Sequence, residues 1–199
     1  RDEIILASTV AGRAPMNWFR GEWTLLDREN IETAIDASLE RLQTDYIDLY
    51  QLHWPDRRMS MFGSDGIGYK HYEAETVPIL ETLRVLSDLV TAGKIRYVGL
   101  SNETPWGLSE FIKYSEMHDL PRVVSVQNAY NFLNRTYEQG MSEFHHRSQV
   151  GLLAYSPLAQ GYLTGKYIDG ARPKGARTTL FERGDRYEVA GANEAVKSY

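Results

Sequence analysis

The 199-residue chain contains no cysteine. That removes disulfide bridges, thiolate metal sites and a cysteine nucleophile together. No apolar run approaches the ~20 residues that cross a bilayer. The opening Arg1-Asp2-Glu3-Ile4 lacks the layout of a secretory leader. Basic charge is not in excess: 22 Lys and Arg stand against 27 Asp and Glu, a formal net charge of -5. Such a balance excludes the electrostatic footprint of a nucleic-acid binder. A soluble cytoplasmic protein without a nucleic-acid or membrane partner is the expectation. A glycine-rich phosphate turn directly after a strand is also missing. The run Gly63-Ser64-Asp65-Gly66-Ile67-Gly68 lies inside a loop and has the wrong spacing.

What is present is enough apolar material, 42% of residues, to build one sizeable core, so residues 1–199 read as a single domain. The apolar pattern alternates between two periods. Short β-branched runs at 4–10, 46–53, 95–101, 123–127 and 150–155 read as buried strands. Between them, helical spacing covers a stretch from Asp27 to Leu42, then 77–92, 105–118 and 137–147. Asp27 is the N-cap candidate of the first helix, Pro105 opens the third, and Gly93 closes the second. Long loops fill 11–26 and 57–75, and helical character returns near Glu188. Strand-helix alternation argues a parallel sheet with right-handed crossovers.

Two architectures satisfy that pattern, the open doubly wound sheet and the closed (β/α)8 barrel. Polar residues gather where strands end: Thr9, His53, Ser101-Asn102, Gln127-Asn128 and Tyr155-Ser156. A barrel concentrates its functional groups there, so the barrel is favoured. Only five strands are legible where eight are needed, so either the barrel is incomplete, with strands missing from the chain, or the sheet is open. Open sheet edges then favour association of copies.

Four stretches now carry a resemblance. They are Ser38 to Pro55 (SLERLQTDYIDLYQLHWP), Gly93 to Asn102 (GKIRYVGLSN), Val126-Gln127-Asn128, and Ala154 to Tyr167 (AYSPLAQGYLTGKY). In order and spacing they resemble the aldo-keto reductases, most closely the Tas-like and potassium-channel β-subunit branch. The resemblance implies a (β/α)8 barrel that transfers hydride between NADP(H) and a carbonyl or alcohol, on a small-molecule carbonyl substrate. It implies that His53 orients or polarises the carbonyl. Ser101, Asn102 and Gln127 would hold the nicotinamide carboxamide, and Tyr155 would stack on its ring. Ser156, Leu158 and Lys166 would contact the pyrophosphate, with Arg177 reaching the cofactor as well.

The residue types suit those tasks. Amides offer donors and acceptors together, aromatic stacking leaves one face of a ring free, and a lysine with backbone N–H groups suits a pyrophosphate. One position departs from the family pattern. Thr9 stands where a lysine is expected, and threonine supplies no positive charge to depress a neighbouring tyrosine. The family's tyrosine acid and its supporting aspartate belong to units before Arg1. The resemblance therefore covers both a truncated reductase and a non-catalytic NADPH-binding or protein-interaction module.

Each candidate also has a plainer role. Ser101-Asn102 suits a helix cap, Gln127 a buried polar group, and Tyr155 packing at the barrel mouth. Lys166 and Arg177, with Arg172, Lys174 and Arg183, suit a solvated basic loop. His145-His146 reads as a surface pair with no metal partner. Trp18, Trp23 and Trp54 suit either a substrate mouth or packing of the first loop.

Overall fold

The computed structural model describes residues 1, 3–18, 21, 23–59, 70–181, 186–188 and 192–198. Gly63, Gly66, Gly68 and Arg183 lie outside the described residues. Five strands are present among them: β1 (Ala7–Val10), β2 (Ile47–Leu52), β3 (Ile95–Ser101), β4 (Val123–Ala129) and β5 (Gly151–Tyr155). Helices α1 (Arg28–Leu42), α2 (Ile79–Thr91), α3 (Pro105–His118) and α4 (Met141–Ser148) alternate with them. Two short helices, α5 (Arg177–Leu180) and α6 (Ala192–Ser198), follow. The strand order is β1-β2-β3-β4-β5, and the β1–β2, β2–β3 and β3–β4 pairs are parallel. A doubly wound sheet reverses its order at a switch point. This sheet does not, so it is an incomplete (β/α)8 barrel. Among the described residues no helix is long and apolar enough to cross a membrane.

The chain divides into two compact units, Arg1–Gln127 with Phe144–Leu153, and Asn128–Glu143 with Ala154–Tyr199. In the first, one sheet face carries Val10, Tyr50, Leu52, Val98, Leu100 and Val126, each at most 3% exposed. Leu83, Leu86 and Leu89 of α2 and Leu108 and Phe111 of α3 are equally enclosed. The second unit has its own small core of Ala159, Tyr162, Tyr167, Ala176 and Tyr187.

Local chemistry sets most boundaries. Asp27 caps α1 by accepting the Asn30 N–H at 2.9 Å. Gly93, at φ +73°, ends α2 as expected. Thr104 caps α3 by accepting the Gly107 N–H at 3.2 Å. That task falls to Thr104 and not to Ser101-Asn102.

Three boundaries differ from expectation by three residues or more. Ile4 and Ile5 precede β1 and are 61% and 84% exposed. The Arg1 side chain and carbonyl instead bind the Ile4 backbone in a turn. The fourth helix starts at Met141 and not at Tyr137. A 3-10 turn at Thr136–Glu138 and Gly140 at φ +94° interrupt the helical path. The last helix starts at Ala192.

One carboxylate organises the loops above the strand ends. Asp56 is 5% exposed. It accepts from Arg13 Nε at 2.9 Å and from the Leu26 and Val77 N–H groups, each at 2.8 Å. Trp54 packs the first loop in the same region, donating Nε1–H to the Arg13 carbonyl at 3.2 Å. Trp18 and Trp23 are exposed instead, at 71% and 51%. Removing the Asp56 carboxylate leaves two N–H groups and a guanidinium unpaired in a dry place. Asp56→Ala is expected to cost about 3 kcal/mol in urea unfolding. A loss below about 1 kcal/mol, the range of an exposed pair, would contradict this role.

Candidate active site

Successive strands of the first unit end in one polar row. Two ladder bonds carry the backbone past the strand ends. The His53 N–H donates to the Val10 carbonyl at 2.8 Å, and the Asn102 N–H to the Gln127 carbonyl at 3.0 Å. Asn102 then turns the chain off the sheet at φ +52°, a left-handed conformation asparagine tolerates. Its side-chain Nδ2 donates to the His53 carbonyl at 2.8 Å and to Ser101 Oγ at 3.1 Å. Ser101 Oγ donates to the Gln127 carbonyl at 2.8 Å. His53, Ser101, Asn102 and Gln127 are thereby joined in one hydrogen-bonded set. Ser101 is buried, Asn102 and Gln127 half-buried, and His53 exposed.

The His53 ring leans on Trp54, with centroids 4.7 Å apart and planes tilted by 46°. Desolvation pushes its pKa below the usual histidine value, which keeps the imidazole neutral at pH 7. A neutral imidazole has one donor and one acceptor nitrogen. Thr9 is exposed on β1, in register with Gln51 of β2. Among these strand-end residues the row carries no fixed charge.

The second unit has a different chemistry. Ser156, Ala159, Gln160, Gly161 and Gly165 all have φ between +47° and +100°. Three of their N–H groups are spent inside the turn, the Gly165 N–H on the Tyr162 carbonyl at 3.0 Å and two more on the bonds that close it. The turn is closed by the Ala159 N–H to Ser156 carbonyl and Gly161 N–H to Leu158 carbonyl bonds, both 2.8 Å. Lys166 lies over Gly161. A Cβ there would meet Lys166 Cε at 2.8 Å and Nζ at 3.0 Å, so the end of the lysine would have to move. Arg177 opens α5, and its neighbour Thr178 donates its N–H to Tyr167 Oη at 3.4 Å. Leu158 is 56% exposed beside the turn. Tyr155 is half-buried at the end of β5, with the Arg186 guanidinium 5.8 Å from its ring centroid.

Some contributors were not anticipated. Asn131 donates Nδ2–H to the Ser156 carbonyl at 2.8 Å and accepts from the Leu133 and Asn134 N–H groups at 2.9 Å. It braces the turn from below, and its only signal was an Asn-rich loop. Arg186 had no signal beyond its charge. His145 is 4% exposed, not a surface residue, and burial lowers its pKa. His146 is the exposed member of that pair.

Comparison with known proteins adds the context. The model of the aldo/keto reductase family matches residues 1–196. The chain is 47% identical over 201 residues to Protein tas of Escherichia coli, covering all of this chain and 58% of that protein. It is 40% identical over 209 residues to an aldo-keto reductase of Babesia bovis, covering 99% of this chain and 73% of that protein. It is 34% identical over 170 residues to the aldo-keto reductase YhdN of Bacillus subtilis, covering 85% and 43%. The chain therefore spans less than two thirds of its E. coli relative.

The state of His53 is directly measurable. Its folded pKa is lowered, so the unfolded chain takes up the proton first. The stability at stake is complete above about pH 6.5 and is lost as pH falls from there toward the folded value. An NMR titration of the His53 ring protons is expected to give a midpoint below about 6.5. A midpoint at or above that value would contradict the desolvation of the ring.

Proposed function

The chain belongs to the aldo/keto reductase family, and on that premise we propose that it forms the central part of an NADP(H)-dependent oxidoreductase that reduces aldehyde or ketone carbonyls. Residues 1–199 are read as a single domain of that enzyme, acting in the cytoplasm on a small-molecule carbonyl. The observation that carries the reading is the neutral hydrogen-bonded row at the strand ends, His53, Ser101, Asn102 and Gln127.

The residues present fit the cofactor. Asn102 and Gln127 bring amide groups to strand ends, which suits a carboxamide. The Lys166 ammonium lies beside the Ser156–Gly165 turn, over Gly161, and a lysine cation suits a diphosphate. Ser156, Leu158, Lys166 and Arg177 are assigned to that end, and Tyr155 to the face of the nicotinamide. The cofactor, when bound, supplies hydride to the carbonyl carbon.

The chain's own residues do the rest. Hydride addition builds negative charge on the carbonyl oxygen, so a donor already positioned there lowers the barrier. His53 supplies that donor as a neutral imidazole. Asn102 fixes the backbone at His53 through its bond to the His53 carbonyl, and Ser101 fixes the backbone at Gln127. Thr9 leaves this end of β1 without a cation, so nothing on that strand favours an ionised acid. The full enzyme is therefore expected to be slow.

The test follows nicotinamide oxidation by the full-length protein with a model aldehyde, offering NADPH and NADH in turn. His53→Ala is expected to lower kcat/KM by about 10²-fold while the cofactor Kd is held. A main effect on cofactor Kd would refute the carbonyl-side role. Thr9→Lys is expected to raise kcat, because a lysine there favours an ionised partner. An unchanged kcat would mean that position 9 does not face the reacting groups. NADPH binding without turnover in both the parent and Thr9→Lys would favour a binding module.

A further inference from the structure

Two turns leave the ends of β2 and β3, one running from His53 to Arg57 and the other from Ser101 to Thr104. An ion pair joins them. Glu103 is 5% exposed. Arg57 Nη1 donates to Glu103 Oε2 at 3.1 Å, and Arg57 Nη2 donates to Glu103 Oε1 and, at 3.0 Å, to Thr104 Oγ1. The contact is a two-pronged fork of guanidinium on carboxylate, the arrangement that fixes geometry best. The Thr104 N–H donates to Glu103 Oε1 at 2.6 Å. Gly107 makes room for the pair, since a Cβ there would overlap Glu103 Oε1 and Arg57 Nη2. Trp106 covers it, with the Arg57 guanidinium 4.9 Å from its ring centroid.

A buried ion pair is a weak source of net stability, because desolvation offsets its attraction. The neighbouring chain also has other anchors. Asp56 and Trp54 hold the first turn, and Thr104 caps α3. What the pair adds is the separation of the two turns. It closes a circuit that runs along the chain from His53 to Arg57, across to Glu103, back one residue to Asn102, and through Asn102 Nδ2 to the His53 carbonyl at 2.8 Å.

Asn102 is the strained member of that circuit, at φ +52°. Such a backbone persists where its surroundings over-determine it. On one side the Asn102 N–H donates to the Gln127 carbonyl at 3.0 Å. On the other side the next residue is Glu103, held by Arg57. Asn102 Nδ2 is spent on the His53 carbonyl and Ser101 Oγ. The amide therefore meets a carboxamide NH2 group through Oδ1, and a small rotation at Asn102 moves that oxygen.

We propose that Arg57 and Glu103 are positioning residues for the nicotinamide end of the cofactor, their ion pair holding the left-handed turn that aims the Asn102 amide. The inference rests on the reading of Asn102 as a holder of the carboxamide.

Calorimetric titration of the full-length protein with two ligands tests it. NADPH carries the carboxamide; 2′-phospho-ADP-ribose keeps the phosphates and lacks the nicotinamide. Glu103→Gln is expected to raise the NADPH Kd about tenfold, the weight of one hydrogen bond, and to leave the 2′-phospho-ADP-ribose Kd where it was. If Glu103→Gln does not fold, the paired variant Arg57→Met with Glu103→Leu serves, since apolar side chains of similar volume replace a buried pair without loss of fold. In an Asn102→Gly background, where glycine takes the same backbone freely, the added change is expected to cost nothing further. An unchanged NADPH Kd overturns the proposal, as does an equal rise for both ligands or a full further loss beside Asn102→Gly. A parent protein that binds NADPH no more tightly than 2′-phospho-ADP-ribose overturns the carboxamide reading itself, before any variant is made.

Discussion

The constraint on which the rest depends is the parallel register of β1 to β4. Once Thr9, Gln51, Gly99 and Ser125 are aligned, the next residue on that face of each strand has no choice of neighbour. His53, Ser101 and Gln127 become members of one row because their strands share a register. The opposite face is taken by Val10, Tyr50, Leu52, Val98, Leu100 and Val126, whose burial against helices prevents a one-residue slip. Such a slip would send every apolar side chain to the wrong face. The apolar core thus fixes the positions of polar groups that it never touches.

Two carboxylates tie the ends of that sheet, and they are not equivalent to the exposed ion pairs. Asp48, at the start of β2, accepts from Arg1 at 2.7 Å, Arg96 at 2.9 Å and the Leu6 N–H at 2.9 Å. The Leu6 N–H, then Arg1, hold its pKa below the usual aspartate range. Asp56, past the end of β2, gathers Arg13, Leu26 and Val77. Pairs such as Arg28–Glu32 and Arg135–Glu138 lie on exposed surface, where solvent screens the contact. The difference is backbone N–H groups. Asp48 and Asp56 satisfy main-chain donors that have no other acceptor on offer, so they fix loop paths as well as charges.

The sequence was most legible where period and capping agree. β3 and α3 have the limits that their residues imply, because Gly93, Thr104 and Pro105 leave no competing path. Legibility failed where a distant group decides the outcome. Ile4 and Ile5 look like strand, yet the Arg1 side chain holds them in a turn. Tyr137 sits on a helical pattern that Gly140 breaks. His145 looks solvated until its surroundings close over it. The strand-end residues were readable because polar groups at the C-terminal ends of parallel strands have few structural uses. Arg57 and Glu103 were not, since two loop charges gain meaning only when the fold shows that they meet.

The two units differ in how charge is arranged. His53, Ser101, Asn102 and Gln127 are linked by directed hydrogen bonds, and a lone buried charge among them would need a partner of its own. Neutral groups hold a neutral amide or carbonyl without that cost. Lys166 and Arg177 sit instead on exposed turns, in no ion pair among the described residues. There a cation keeps its hydration and still attracts an anion at a distance set by salt. Thr9 obeys the same division, since a lysine at that register would place a cation beside Gln51. Its absence keeps the first unit's row neutral throughout.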